Sequence, residues 1–247
     1  MKDFASLYDA LDAITSTQAK VAAMREYFAQ AEPADAAWAA YFLAGGKPRQ
    51  TVPTAVLRAR ACEEAALPDW LFEECYQAVG DLAETIALVL PLNTQPVNTL
   101  GLAAWIEERL LPLRGLSPAE QAERVSAYWR ELDARGRFLL TKLIGGGFRV
   151  GVSKLLVQRA LAAVAGVDAK RVAERMMGYT DAKSLPTAAR FSALIAGEEQ
   201  TGQAGGQPYP FFLAHALDLP LERFDAELGL PAEWLVEWKY DGIRAQI

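Results

Sequence analysis

A chain of 247 residues, 52% hydrophobic and 23% charged, is long enough for one large domain or one domain and part of another, and too apolar to be disordered. Its net charge of −6 speaks against a uniformly basic nucleic-acid binder but leaves room for a local basic face, because net charge averages over all surfaces. Two cysteines make no disulfide framework. The single histidine, His215, excludes a zinc site built on several histidines, and it excludes a Ser–His–Asp triad unless His215 serves it.

The first two hundred residues read as a succession of short helices. Phe4, Leu7, Tyr8, Leu11 and Ile14 follow the 3–4 spacing that lines one helical face. Ser16 or Thr17 suits the cap of a second helix carrying Val21, Met24 and Phe28. Pro33 fits the first turn of a third, with Trp38, Tyr41 and Phe42 on its core face and Gly45-Gly46 as its stop. Pro68 opens another helix and Gly80 closes it. Cys62 and Cys75 both fall in helical patterning, which points to a reducing compartment. The strongest apolar run, Ile86 to Leu92, is short and contains Pro91, so nothing approaches the ~20 apolar residues of a membrane span. The N-terminal Met-Lys-Asp-Phe is no signal peptide, and the expected location is cytoplasmic.

Ser117-Pro118-Ala119-Glu120 is the clearest helix start: serine caps, proline fits the first position, and the glutamate reaches back. Further helices are expected over about Arg137 to Ile144, Ser153 to Ala165, Asp168 to Met177 and Thr187 to Ala196. From Arg135 to Arg175 nine Lys/Arg stand against two acids, Asp168 and Glu174, a local balance of +7 in an acidic chain. The acid pairs Glu63-Glu64 and Glu107-Glu108 read as solvated faces, and His215 as structural. After Gly197 the composition turns polar and glycine-rich, then Pro208 and Pro210 follow, as in a linker. Trp234 to Trp238 and Ile243 to Ile247 look extended.

Three segments carry candidate chemistry. Glu237-Trp-Lys239-Tyr-Asp241-Gly242-Ile-Arg244 contains Lys-x-Asp-Gly-x-Arg, whose chance occurrence in this length has a probability of about 0.003. Asp-Gly between extended runs is also a plain hairpin signal, and the two readings are compatible. Gly145-Gly-Gly147-Phe-Arg149-Val-Gly151-Val-Ser153-Lys154 joins two helices. Its glycines allow close approach to a phosphate backbone, and Ser153 caps a helix whose N-terminus suits an anion; a flexible connector is the other reading. Gly45-Gly-Lys47-Pro-Arg49 is open between a phosphate-contacting loop and a solvated one.

The Lys239 motif resembles that of the covalent nucleotidyltransferases: ATP-dependent DNA ligases, RNA ligases and mRNA capping enzymes. The glycine-rich connection resembles the Arg-x-Gly reverse turn of the helical DNA-binding domain in ATP-dependent DNA ligases. Trp70 to Glu74 and Val79 to Glu84 look like that family's helical core, and Pro208 to Ala214 like the segment leading into its adenylation domain. The likeness covers nearly the whole chain and is nearest the bacterial class with this N-terminal domain.

The resemblance implies an all-α, multi-helix ligase-type DNA-binding domain over 1–200. A linker and lead-in segment would follow over 201–232, and the first strands of an incomplete α/β nucleotidyltransferase domain over 233–247. It implies that Lys239 attacks the α-phosphate of ATP to form a lysyl–AMP, that Glu237 contacts the adenine and Arg244 the ribose, and that magnesium neutralises the phosphates. Lysine must be neutral to attack, against an ordinary pKa of ~10.4, so desolvation or a nearby cation has to lower it. Gly147, Arg149, Gly151, Ser153 and Lys154 are the implied DNA contacts, nicked duplex DNA the partner, and a monomer the working form. The family's later nucleotidyltransferase motifs and its OB-fold are absent from this sequence. A truncated ligase is therefore expected, unable to adenylylate by itself; the alternative is a stand-alone duplex-binding module.

Overall fold

The computed structural model describes residues 1–93, 96–146, 148, 150–181, 185–197, 217–234 and 238. The chain divides into two compact units, Met1–Ala204 and Gly205–Ile247. Among the described residues there is no strand, so the fold is all-α.

The first unit begins with α1 (Lys2–Ala13), α2 (Thr17–Gln30) and α3 (Pro33–Leu43). Ser16 caps α2 by accepting from the Ala19 N–H. In α3, every residue from Ala36 to Leu43 is buried. A helix apolar on all sides must lie inside, and α3 is the post around which the domain is built. Then come α4 (Thr54–Ala65), α5 (Asp69–Val79) and α6 (Leu82–Val89). Gly80 ends α5 in the left-handed region at φ 79°, and Asp81 caps α6 through the Glu84 N–H. The three-residue α7 (Leu102–Ala104) runs on through a π turn, Trp105–Leu110, into a 3-10 turn, Leu111–Gly115. This irregular segment buries Trp105 completely.

The second half contains α8 (Pro118–Glu131), α9 (Ala134–Gly145), α10 (Lys154–Ala165), α11 (Ala169–Arg175) and α12 (Ala188–Leu194). α8 carries the full capping box, with Ser117 and Glu120 bonding reciprocally. Asp133, Ser153, Asp168 and Thr187 cap the next four helices. Each such cap stabilises its helix by about 1 kcal/mol. α10 packs along α2, α9 on α6, α12 on α3 and α8 on α4. Helices distant in sequence therefore share one core.

Two expectations need correction. Glu64 is not a solvated acid: it receives bonds from Arg60, Arg130 and the Ser126 hydroxyl, tying α4 to α8. Burial alone would raise its pKa, but these donors hold it below the usual carboxylate range. Glu107 accepts from the Trp38 indole at 2.7 Å, so it too has a structural partner.

The second unit shows short helical turns at Leu221–Arg223 and Pro231–Glu233 around α13 (Phe224–Leu228). Of the stretch expected to be extended, only Trp234 and Trp238 are described, and both are exposed. The remaining strand-like residues, the glycine-rich stretch 198–207 and His215 lie outside the described residues.

Candidate nucleic-acid interface

The connection between α9 and α10 is built on an anchored backbone. Gly146 leaves α9 at φ 69°, where glycine alone is unstrained. Phe148 then inserts into the core. Its ring stacks on Phe4 at 5.5 Å between centroids, meets Tyr8 edge-on at 4.9 Å and lies 5.7 Å from Phe42. Val150 is buried as well. Burial, with Asp12 and other acids nearby, pushes the Tyr8 phenol up to about 12. Phe148 and Val150 thus tie the connection to the domain core at two points.

Gly151 is exposed and has φ +60°. Ser153 follows as the cap of α10, its hydroxyl accepting from the Leu156 N–H at 3.4 Å. Lys154 stands in solvent as the first residue of α10 and forms no hydrogen bond or ion pair among the described residues. The helix N-terminus and this free ammonium both favour an anion.

A second loop faces the turn. Gly45 and Lys47 line a cleft of about 470 Å³ together with Phe148, Val150, Gly151, Val152 and Ser153. The Arg114 guanidinium donates to the Arg49 carbonyl at 2.7 Å and pins this loop. Lys47 is exposed, with no partner for its ammonium among the described residues. Among the described residues no acidic side chain lines the cleft.

Sequence reasoning singled out the 45–49 loop without linking it to the turn, and it missed Lys20 altogether. Lys20 lies on α2 and is only 8% exposed. Its ammonium donates to the carbonyls of Val150, at 3.0 Å, and Gly151, at 3.1 Å. The one signal in the sequence was a lysine on the face of α2 that also carries Met24, at the i, i+4 spacing.

The basic block divides. Arg137 is buried and donates to the carbonyls of Trp129 and Pro91. Lys142 pairs with Asp81, Arg135 with Asp9, and Arg171 with Glu174. Arg175 donates to the carbonyls of Leu194 and Ala196. Lys154, Arg159 and Lys170 remain exposed without a partner among the described residues.

Gly151, Ser153 and Lys154 are thus brought together at one surface. Gly147 and Arg149 lie outside the described residues, as do Lys239, Glu237 and Arg244 with the Asp241-Gly242 turn. Among the described residues no three His, Cys, Asp or Glu cluster as metal ligands, and no helix is long and apolar enough to cross a membrane.

Comparison with known proteins adds two findings. A family model described as DNA ligase N terminus matches residues 1–162, a span that includes α1 through most of α10 and the whole turn. A probable DNA ligase of Opitutus terrae (strain DSM 11246 / JCM 15787 / PB90-1) is 26% identical over 318 residues, covering 99% of this chain and 30% of that relative. The chain therefore spans less than a third of the length of the curated relative it matches.

Proposed function

The chain belongs to the DNA ligase N-terminus family, and from that premise we propose that it is the DNA-gripping front part of an ATP-dependent ligase that seals nicks in duplex DNA. The observation that carries the reading is the anchored turn between α9 and α10. It faces a cleft that no acidic side chain lines, and it is flanked by the Lys47 and Lys154 ammonium groups, which have no partner, in both cases among the described residues. Duplex DNA is a line of phosphates with condensed counterions, and cations held on a rigid surface gain affinity by releasing them. Gly147 and Arg149 belong to the same proposed surface through their place in the turn. Backbone contacts of this kind are blind to sequence, as nick sealing requires. The working form we propose is a monomer on nicked duplex.

For the chemistry, the support is the Lys-x-Asp-Gly-x-Arg motif in a chain of a ligase family. Lys239, as the neutral amine, attacks the α-phosphate of ATP. Its nitrogen–phosphorus bond forms as the bond to pyrophosphate breaks. AMP then passes to the 5′-phosphate at the nick, and the 3′-hydroxyl displaces it. Glu237 orients the adenine and Arg244 the ribose. Magnesium would neutralise the triphosphate.

Incubation with labelled ATP and magnesium, followed by a denaturing gel, tests this assignment. The full-length parent should become covalently labelled. Its Lys239→Ala variant should lose the label and retain duplex binding, whereas the 247-residue chain alone should take none. Undiminished labelling of the variant would exclude Lys239 as the nucleophile. A chain that binds duplex while its parent never labels would favour a stand-alone DNA-binding module.

A further inference from the structure

We propose that Lys20, Gly151 and Val152 form a backbone phosphate-binding notch, in which the buried ammonium holds two carbonyls from behind and thereby presents two amide N–H groups to a DNA phosphate. The inference rests on the DNA-binding reading above for the identity of the anion, and on the local geometry for everything else.

Burying an ammonium is costly unless its donors are satisfied, and buried charges are normally paired with a carboxylate. Lys20 has no such partner among the described residues. It uses two of its three N–H donors on the carbonyls of Val150 and Gly151, 130 and 131 positions away. If the site needed only packing, an apolar side chain would fill it at lower cost. What the ammonium adds is direction.

The peptide bond is planar and trans, and no cis bond occurs among the described residues. In a trans peptide the C=O and the N–H point to opposite sides. Turning the Val150 carbonyl toward Lys20 therefore turns the Gly151 N–H away from it. Turning the Gly151 carbonyl inward does the same for the Val152 N–H. Neither N–H donates to any group among the described residues. Gly151 is exposed and Val152 half-buried, and both line the cleft that Lys47 flanks.

Two successive amides facing one way near a left-handed residue are the geometry of an anion nest. The ammonium strengthens it, because a carbonyl that accepts a charged hydrogen bond polarises its own amide and makes that N–H a better donor. Gly151 suits the arrangement twice over. Its φ of +60° disfavours other residues, and a Cβ there would lie 2.9 Å from the Lys20 ammonium nitrogen.

The test is Lys20→Met in the full 247-residue chain, which keeps the side chain's length and removes its donors. A fluorescent nicked duplex, read by anisotropy, supplies the affinity, and amide NMR of the nitrogen-15-labelled chain supplies the geometry. Met24→Ala, one turn further along α2 and buried, is the control for lost stability.

Lys20→Met should weaken duplex binding roughly tenfold, the worth of one charge-assisted contact. Met24→Ala should bind like the parent even if it melts as early. The Gly151 and Val152 amide signals should move when duplex is added to the parent chain and stay still in Lys20→Met. Should Lys20→Met fail to fold, Gly151→Ala asks the same question, since its Cβ displaces the ammonium without removing the charge.

Equal binding by the parent and Lys20→Met would overturn the notch and leave the DNA-binding reading intact. A loss matched by Met24→Ala would reduce Lys20 to a stability residue, with the same result. A parent chain that does not bind duplex at all would overturn both.

Discussion

The two sides of the α9–α10 turn use positive charge in opposite ways. Before the turn, Arg137 is buried against the carbonyls of Trp129 and Pro91, and Lys142 is paired with Asp81. After it, Lys154 and Arg159 stand exposed without partners among the described residues. Both stretches contribute equally to the +7 counted along the sequence, but only the second includes cations, Lys154, Arg159 and Lys170, that have no partner among the described residues, while its Arg171 and Arg175 are bonded. A basic block measures a field only after its internal bonds are subtracted. What remains here is a small set of cations at the turn and its facing loop, with Lys20 buried behind them.

If the division is real, removing cations on the two sides should fail in different assays. The largest effect is expected at Arg137. Arg137→Ala strands two carbonyls and opens space beside Trp129, and it should cost about 3 kcal/mol of stability in urea titration while leaving the salt dependence of DNA binding unchanged. A shallower salt slope with unaltered stability would place Arg137 on the wrong side of the comparison.

Lys142→Ala should cost less, about 1 kcal/mol near neutral pH, because the pair is partly exposed. Its pH dependence is the sharper reading. Burial alone would raise the Asp81 pKa, but Lys142 and the Glu84 N–H hold the carboxyl below the usual aspartate range. A native carboxyl with a depressed pKa binds protons less readily than its unfolded counterpart, so its contribution is complete above the ordinary aspartate range and is lost as pH falls through the depressed value. The stability gap between the parent and Lys142→Ala should therefore narrow on acidification. A gap that stays constant into strong acid would show that the pair adds nothing through its charge.

Lys154→Ala should change stability least, by no more than ~0.5 kcal/mol, as expected of an exposed residue without partners. Its effect should appear in the salt slope of duplex binding, shallower by up to ~0.9 if the ammonium meets a phosphate. A melting shift with an unchanged slope would reverse its assignment.

Legibility followed locality. Helix starts could be read where a side chain does the capping: Ser16, Ser117 and Ser153 cap as expected, and the helices expected to start near Asp168 and Thr187 are capped by those residues. α4 was harder to read. It begins after Pro53 with no side-chain cap and ends on Ala66 at φ 52°, without the glycine that would announce the stop. The 102–115 segment mixes three helical pitches and shows no single period. Glu64 looked solvated because its partners on α8, Ser126 and Arg130, are more than sixty residues away. The turn itself was visible through its glycines and its capping serine. Lys20 was not, because it acts on backbone oxygens 130 residues downstream, and a carbonyl leaves no mark in a sequence. The Lys239 motif was plain as a pattern, and its geometry falls outside the described residues.

The central claim is that this turn grips the DNA backbone, and Arg149, at its centre in sequence, tests it most directly. Anisotropy of a nicked duplex, titrated with the parent chain and with Arg149→Ala at several salt concentrations, gives both affinity and slope. Log affinity should fall linearly with log salt. Arg149→Ala should bind more weakly to every duplex, with a slope shallower by about 0.9 for one lost phosphate contact. Unchanged affinity together with an unchanged slope would remove the turn from the DNA-binding surface.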